Sequence, residues 1–216
     1  MILILAVFPP LLIAYYIYKK DKYDVEPRKL IIKSFLFGCL SIIPAIILET
    51  IFNESLFSSL FIYVMVGIAL IEEGLKYFFL KRYLFNKADF NEPMDGIVYA
   101  VMISMGFALV ENVAYVYGHQ GQEIQVAILR MFTALPLHAV CGVIMGYYVG
   151  MAKFHTNKKF LLVKGLGLAV LIHGVYDYFL FLGQGTILSI VALLIAISYG
   201  KKAIKLHQQD SKARNI

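Results

Sequence analysis

Residues 94–117 read MDGIVYAVMISMGFALVENVAYVY, a nearly unbroken apolar run with Glu111 and Asn112 towards its end. About 20 apolar residues in a helix cross the hydrocarbon core of a bilayer. The run is too long and too little alternating for a strand of a membrane β-barrel. It therefore predicts a transmembrane helix that carries two polar side chains into the membrane.

The whole chain shares this character. Its 216 residues are 60% hydrophobic and 16% charged, with a mean hydropathy of +0.75. Soluble domains are about 45–50% apolar and about 25% charged, so the composition excludes a soluble, disordered or nucleic-acid-binding protein. Two cysteines without a CxxC motif exclude a disulfide scaffold. We predict a single all-α membrane domain over residues 1–216.

Apolar runs separated by short polar clusters predict seven transmembrane helices. The predicted spans are residues 1–18, 30–52, 57–80, 94–117, 124–152, 159–182 and 186–200. Apart from Lys76 and Arg130, the 20 Lys and Arg residues all lie in or beside loops on one side of these spans. Because basic loops stay in the cytoplasm, this alternation predicts an outer N-terminus and an inner C-terminus.

Ionisable and polar side chains recur inside four consecutive predicted spans. A charge at the bilayer centre costs about 2.5–3.5 kcal/mol on insertion scales, so such residues are functional candidates. Counted from the nearest loops, they occupy one band from mid-membrane towards the outer leaflet, which predicts one shared site. The candidates are Glu72, Glu73, Lys76, Glu111, Asn112, His138, His173 and Asp177.

Helical spacing predicts which of these groups interact. His173 and Asp177 are four residues apart and share a helix face, where the carboxylate can orient the imidazole. Lys76 lies three and four residues after two glutamates, and we expect one to pair with it and the other to remain available as a base.

Some residues of the spans have a simpler structural interpretation. Arg130 lies near a predicted helix end, and we expect its long side chain to extend outward to the interface. Gly106 and Gly146 are expected to be close-packing positions between helices.

The chain lacks three motifs of intramembrane proteases: HExxH, a GxSx serine loop and GxGD. The carboxylates and histidines that remain can activate water directly, or hold a metal that does so. The same groups also build proton relays, so a small proton-coupled transporter is the alternative function.

Four short motifs lie in order on four successive predicted helices: EEGLK (72–76), FALVEN (107–112), HAVCG (138–142) and HGVYD (173–177). The set, EExxK, FxxxE, HxxxG and HxxxD, resembles the PrsW family of bacterial membrane proteases across about half of the chain. That family is similar, more distantly, to the type II CAAX prenyl proteases.

The resemblance implies a protease of the bacterial plasma membrane whose substrate is a single-span membrane protein. The best-known family role is site-1 cleavage of an anti-sigma factor on its extracytoplasmic side, before a second protease cuts within the membrane. The catalytic residues it implies are Glu72, Glu73, Glu111, His138, His173 and Asp177, with Lys76 and Asn112 supporting them.

Two mechanisms remain open for such an enzyme. In the first, Glu72 or Glu73 deprotonates the attacking water, and a histidine stabilises the oxyanion or protonates the leaving amine. In the second, a divalent metal such as zinc takes part, with His138, His173 and one of Glu111, Glu72 or Asp177 as ligands. Family members are described as metalloproteases, whereas the related CAAX enzymes favour the metal-free alternative.

Overall fold

The protein is all-helical in a computed structural model that describes residues 1–183 and 186–214. Residues 184–185 and 215–216 of the predicted domain lie outside this description. No strand occurs in the described part, which confirms the predicted all-α class. The helices are α1 (Ile2–Tyr18), α2 (Arg28–Ile51), α3 (Leu60–Ile62), α4 (Leu70–Phe79), α5 (Pro93–Gly118), α6 (Glu123–Phe132), α7 (Ala134–Phe154), α8 (Lys158–Phe181) and α9 (Thr186–Arg214).

Five helical segments of the described chain are long and apolar enough to cross a membrane: α2, α5, α6 with α7, α8 and α9. Helix α1 is apolar but shorter. The chain also stays helical from residue 60 to residue 84, because π-helical segments at Tyr63–Ala69 and Leu80–Leu84 continue α3 and α4. These elements form a multi-helix membrane bundle. The count of seven crossings and the orientation of the termini stay predictions.

The basic loops meet at one end of the bundle, here called the basic end. The amide of Gln208 donates to the backbone oxygen of Lys20 at 2.6 Å, which joins the end of α9 to the loop after α1. The ammonium of Lys153 donates to the backbone oxygen of Lys87 at 2.9 Å. Loops far apart in sequence thus gather on one side, as their charge predicts.

The predicted span 124–152 is divided in the structure. Helix α6 ends at Phe132, and Thr133 leaves the helical conformation, with φ −123° and ψ −78°, before α7 begins. Pro136 explains the break: it has no N–H to donate to Phe132, four residues earlier, and its ring crowds that carbonyl. The break leaves α6 as a separate helix that packs against α1 and α5.

The last helix is longer than the predicted span 186–200. Helix α9 continues through a polar segment to Arg214. His207 in this segment stacks on the ring of Tyr147 at 4.2 Å between centroids and hydrogen-bonds to its backbone oxygen at 3.0 Å. Contacts with the basic end therefore stabilise a helical extension that hydropathy does not indicate.

Helix α5 lies at the centre of the bundle, and every residue from 92 to 108 is buried. Its neighbours approach its backbone directly. A Cβ on Gly106 would lie 2.0 Å from the backbone oxygen of Phe35 in α2, and one on Gly146 would lie 2.3 Å from that of Gly96. The predicted close-packing role of both glycines is confirmed.

We expect Gly106→Ala to destabilise the protein, because neither of the two backbones in contact can yield easily. Overpacking of this kind costs about 1–3 kcal/mol. The matched control is Gly167→Ala in α8, where an added Cβ would meet nothing within 4 Å. Thermal unfolding in detergent should show a lower midpoint for Gly106→Ala alone. Equal midpoints for the two variants would contradict the close approach of α2 and α5.

A group of buried carboxyls occupies the basic end. Asp21, Glu26, Glu92 and Asp95 are all buried, and one oxygen each of Asp21 and Asp95 has no hydrogen-bond partner. The Tyr99 hydroxyl donates to Glu26, and Asp95 Oδ2 accepts from the backbone N–H groups of Asn91 and Glu92. Burial raises the pKa of Asp21 to about 7, with nearby Asp95 adding to the shift, and burial raises the pKa of Glu26 to about 7.

This group predicts that stability falls as the pH rises from about 4 to 7, since unfolded carboxyls release their protons near pH 4. Over this interval the folded protein keeps protons that the unfolded chain has lost, so each pH unit removes up to about 1.4 kcal/mol per group. Above about pH 7 the loss should level off. Unfolding midpoints measured from pH 5 to 8 should decline less in Glu26→Gln than in the wild type or in Glu54→Gln, a change at an exposed residue. Parallel profiles would contradict the assignment.

Candidate active site

The structure brings all eight predicted site residues, which four helices supply, into one hydrogen-bonded cluster, with Asn112 joined to it through Arg130 of α6. Helix α4 supplies Glu72, Glu73 and Lys76, and α5 supplies Glu111 and Asn112. Helix α7 supplies His138, and α8 supplies His173 and Asp177. Six of the eight are buried in the apolar bundle: Glu72, Glu73, Lys76, Asn112, His138 and His173.

Lys76 is the hub of this cluster. Its ammonium donates to Glu72 Oε2 at 3.1 Å and to Glu73 Oε1 at 2.8 Å. Its third contact is His138 Nδ1, at 3.1 Å. The expected pairing with one glutamate is therefore wrong. Positions three and four residues away are both neighbours on a helix, so both carboxylates reach the same ammonium.

Glu73 is the more enclosed of the two glutamates, with no exposed surface. Its Oε1 contacts both Lys76 and His173, whereas Oε2 has no hydrogen-bond partner. Buried polar atoms of proteins almost always have a partner. The free oxygen therefore marks a position where a ligand, a water molecule or a substrate group is needed.

His173 lies between carboxylates on both sides. Its Nδ1 is 2.9 Å from Glu73 Oε1, and its Nε2 is 3.2 Å from Asp177 Oδ2. The predicted pairing of His173 with Asp177 on one helix face is confirmed. The Asp177 carboxylate fixes the orientation of the ring, with Nδ1 turned towards α4.

The contacts of His138 fix its tautomer. An ammonium only donates hydrogen bonds, so His138 Nδ1 must accept from Lys76. The proton of the neutral ring then lies on Nε2, which donates to Glu111 Oε2 at 2.8 Å. Both histidines thus direct Nδ1 towards a residue of α4, which is Lys76 for His138 and Glu73 for His173. Their Nε2 atoms face Glu111 and Asp177, respectively.

Arg130 joins the cluster, contrary to its expected outward course. Its Nη2 donates to Glu111 Oε2 at 2.6 Å, and its Nε donates to Asn112 Oδ1 at 2.9 Å. The helix-end argument failed because it ignored the neighbouring helix, where two adjacent polar residues face α6. The available signal was the depth of Arg130, which matches that of Glu111 and Asn112.

Four residues of the described chain form a group that can hold a metal ion. Glu72, Glu73, His138 and His173 each offer one ligand atom, and these atoms all lie within 4.8 Å of one another. Imidazole and carboxylate are common zinc ligands, and Glu73 Oε2 still lacks a partner, so the donor set fits the metal. Glu111, expected as a ligand, is not in this group, because it binds the opposite nitrogen of His138.

One contact opposes the metal. Three residues of this group already hydrogen-bond to the Lys76 ammonium, through Glu72 Oε2, Glu73 Oε1 and His138 Nδ1. A metal ion bound through those atoms would have to displace the ammonium. The donor chemistry fits a metal, while without one the Lys76 ammonium hydrogen-bonds to both glutamates and compensates one of their two negative charges.

Comparison with known proteins agrees with this site. Residues 26–199 match the model of the PrsW family intramembrane metalloproteases. Protease PrsW of Oceanobacillus iheyensis is 40% identical, over 83% of this chain and 82% of that protein. Protease PrsW of Bacillus subtilis is 35% identical over 80% and 79%, respectively, and that of Clostridioides difficile is 33% identical over 97% and 92%.

No solved structure matches the chain. The sequence matches cover most of the chain and include all the motifs on α4, α5, α7 and α8. They identify the protein as a peptidase and as a multi-pass bacterial membrane protein. They do not support the alternative function of a transporter. The chain belongs to the PrsW family of intramembrane metalloproteases.

Proposed function

We propose that the protein cleaves a membrane-anchored regulatory protein, with Glu73 as the base that activates water. The observation that carries the proposal is the free Oε2 of Glu73, a fully buried carboxylate oxygen inside the Glu/His cluster. Lys76 and His173 hold the other oxygen of the same carboxylate at 2.8 and 2.9 Å. Because the carboxylate is held by its other oxygen, Oε2 stays available to accept a proton from the attacking water.

Without a metal, His173 is suited to the second proton transfer. Its ring contacts Glu73 on one side and Asp177 on the other, so both ring nitrogens donate to ionised carboxylates and the imidazolium can give one proton to the leaving amine. The proton that Glu73 takes from the water then returns the ring to its starting state. Asp177 keeps the ring in position and stabilises the positive charge of the imidazolium.

We propose that Glu72, His138 and His173 hold a zinc ion, which leaves Glu73 as the base. Two histidines and one glutamate form a known set of protein ligands for catalytic zinc. When bound, the metal would polarise the scissile carbonyl and acidify a water molecule. The metal-free alternative is favoured by the Lys76 ammonium, which already contacts Glu72, Glu73 and His138.

We propose that the substrate is an anti-sigma-factor-like protein with one span, cut on the extracytoplasmic side. The site supports this side because it lies far from the basic end. Glu111 is 16 residues along α5 from Asp95, about 24 Å at 1.5 Å per residue. Asn112 donates to the backbone oxygen of Ala6 at 2.8 Å, close to the predicted outer terminus of α1.

The glutamates provide the direct test of this function. Purified wild type should cleave a single-span substrate in proteoliposomes, with the mapped cut in the extracytoplasmic juxtamembrane segment. Glu73→Gln preserves size and removes the base, so we expect kcat to fall about 10²–10⁴-fold. Glu72→Gln should also lose activity, through the lost contact with Lys76 or with the metal.

The matched control is Glu54→Gln, which changes an exposed glutamate outside the cluster. It should cleave at the wild-type rate. Near-normal cleavage by Glu73→Gln would eliminate the glutamate-base mechanism. A cut mapped to the cytoplasmic flank would overturn the proposed side of attack.

The metal proposal has a readout that does not depend on activity. We expect about one zinc ion per chain in the purified protein, and its loss in His138→Gln and in His173→Gln, because a catalytic zinc needs three protein ligands. His155→Gln changes an exposed histidine and should retain the metal. A metal-free preparation that cleaves at full rate and is insensitive to chelator would select the metal-free mechanism.

A further inference from the structure

Arg130 makes three contacts that a residue merely reaching for the interface would not make. Its guanidinium donates to Glu111 at 2.6 Å and to Asn112 at 2.9 Å. The same group lies over the ring of Tyr115, 4.0 Å from the ring centroid. The three partners are on α5, while Arg130 is on α6, so the contacts fix two helices relative to each other.

The support continues behind Asn112. This residue is fully buried, and its amide nitrogen donates to the backbone oxygen of Ala6 in α1 at 2.8 Å, while its oxygen accepts from Arg130. Both ends of the amide are therefore used. The planar guanidinium is held by two hydrogen bonds and an aromatic face, which leaves it little freedom to turn.

We propose that Arg130 is a positioning residue of the active site, which fixes Glu111 so that Glu111 fixes His138. This inference rests on the proposed proteolytic function. Glu111 Oε2 accepts from Arg130 and from His138 Nε2 at the same time. Arg130 therefore sets the position of Glu111 Oε2, the atom that accepts the hydrogen bond from His138 Nε2.

The orientation of the His138 imidazole in turn determines its contact with Lys76 at the centre of the site. With its proton held on Nε2, His138 presents the lone pair of Nδ1 to the Lys76 ammonium, which also binds the α4 glutamates. Removal of Arg130 would leave a partly buried carboxylate with His138 as its one remaining ion-pair partner in the described chain. Glu111 would then move or recruit water, and His138 would lose its single orientation.

A double-mutant cycle between Arg130 and Glu111 tests this role. We expect Arg130→Gln to lower kcat about 10–100-fold, as other partners that orient catalytic histidines do, with KM changed less than about twofold. Arg130→Lys should retain an intermediate rate, because it keeps the charge but cannot bind both partners in one plane. In a Glu111→Gln background, Arg130→Gln should cause almost no further loss.

The control is Arg82→Gln, which removes an exposed arginine that also lies over a tyrosine ring, 5.5 Å from its centroid. It should leave both kinetic constants unchanged. Independent, multiplicative losses in the cycle, a loss confined to KM or a fully active Arg130→Gln would each overturn the proposal. If Arg130→Gln does not fold, the same cycle with Arg130→Lys decides.

A spectroscopic readout separates this inference from the proteolytic function. In protein labelled with ¹⁵N-histidine, His138 should show the Nε2–H tautomer in the wild type and a tautomer mixture in Arg130→Gln. An unchanged His138 signal would overturn the positioning role, even in an active enzyme. A wild type that shows the expected tautomer but cleaves no substrate would instead refute the proposed function.

Discussion

The three hydrogen bonds of the Lys76 ammonium organise the site. Two carboxylates in one turn of a membrane-buried helix are costly unless a cation compensates them. Lys76 contacts both, and its remaining donor goes to His138. That last bond makes Nδ1 of His138 an acceptor and places the proton of the ring on Nε2. Nε2 then needs an acceptor, and Glu111 Oε2 is that acceptor.

The bundle supplies the distances that this chain of contacts requires. Helix α5 is buried without interruption up to Ala108, because glycines let the backbones of α2 and α7 lie against it. Beyond Ala108 most residues are only partly buried or exposed, Asn112 and Val116 excepted, and Glu111 follows on the next turn. The close-packed half of α5 therefore acts as the rigid support, and its looser half presents side chains to α6 and α7. A site of buried charges needs such support, since misplaced partners are not replaced by solvent inside a membrane.

Much of this arrangement follows from the sequence because hydropathy and helical spacing are local properties. The band of ionisable residues was predictable from their depth, and the pairing of His173 with Asp177 from their spacing. The sequence could not choose among partners on different helices. It sent Arg130 to the interface, whereas Arg130 binds Glu111 and Asn112 on the neighbouring helix. The cause is that the rotation of a helix about its axis decides which of several equally deep neighbours a side chain meets. The single glutamate expected for Lys76 has a different cause, because residues three and four positions away on one helix are both within its reach.

The break at Thr133 shows how a small local feature determines the composition of the site. A single straight helix over residues 123–154 would carry Arg130 and His138 on one rod, eight residues apart, about 12 Å along the axis. Both nevertheless contact the same oxygen, Glu111 Oε2, at 2.6 and 2.8 Å. Pro136 removes one helical hydrogen bond and allows α6 and α7 to approach Glu111 separately. Arg130 and His138 thus converge on one carboxylate because the helix between them is interrupted, which connects a backbone property of one proline to the orientation of the histidine.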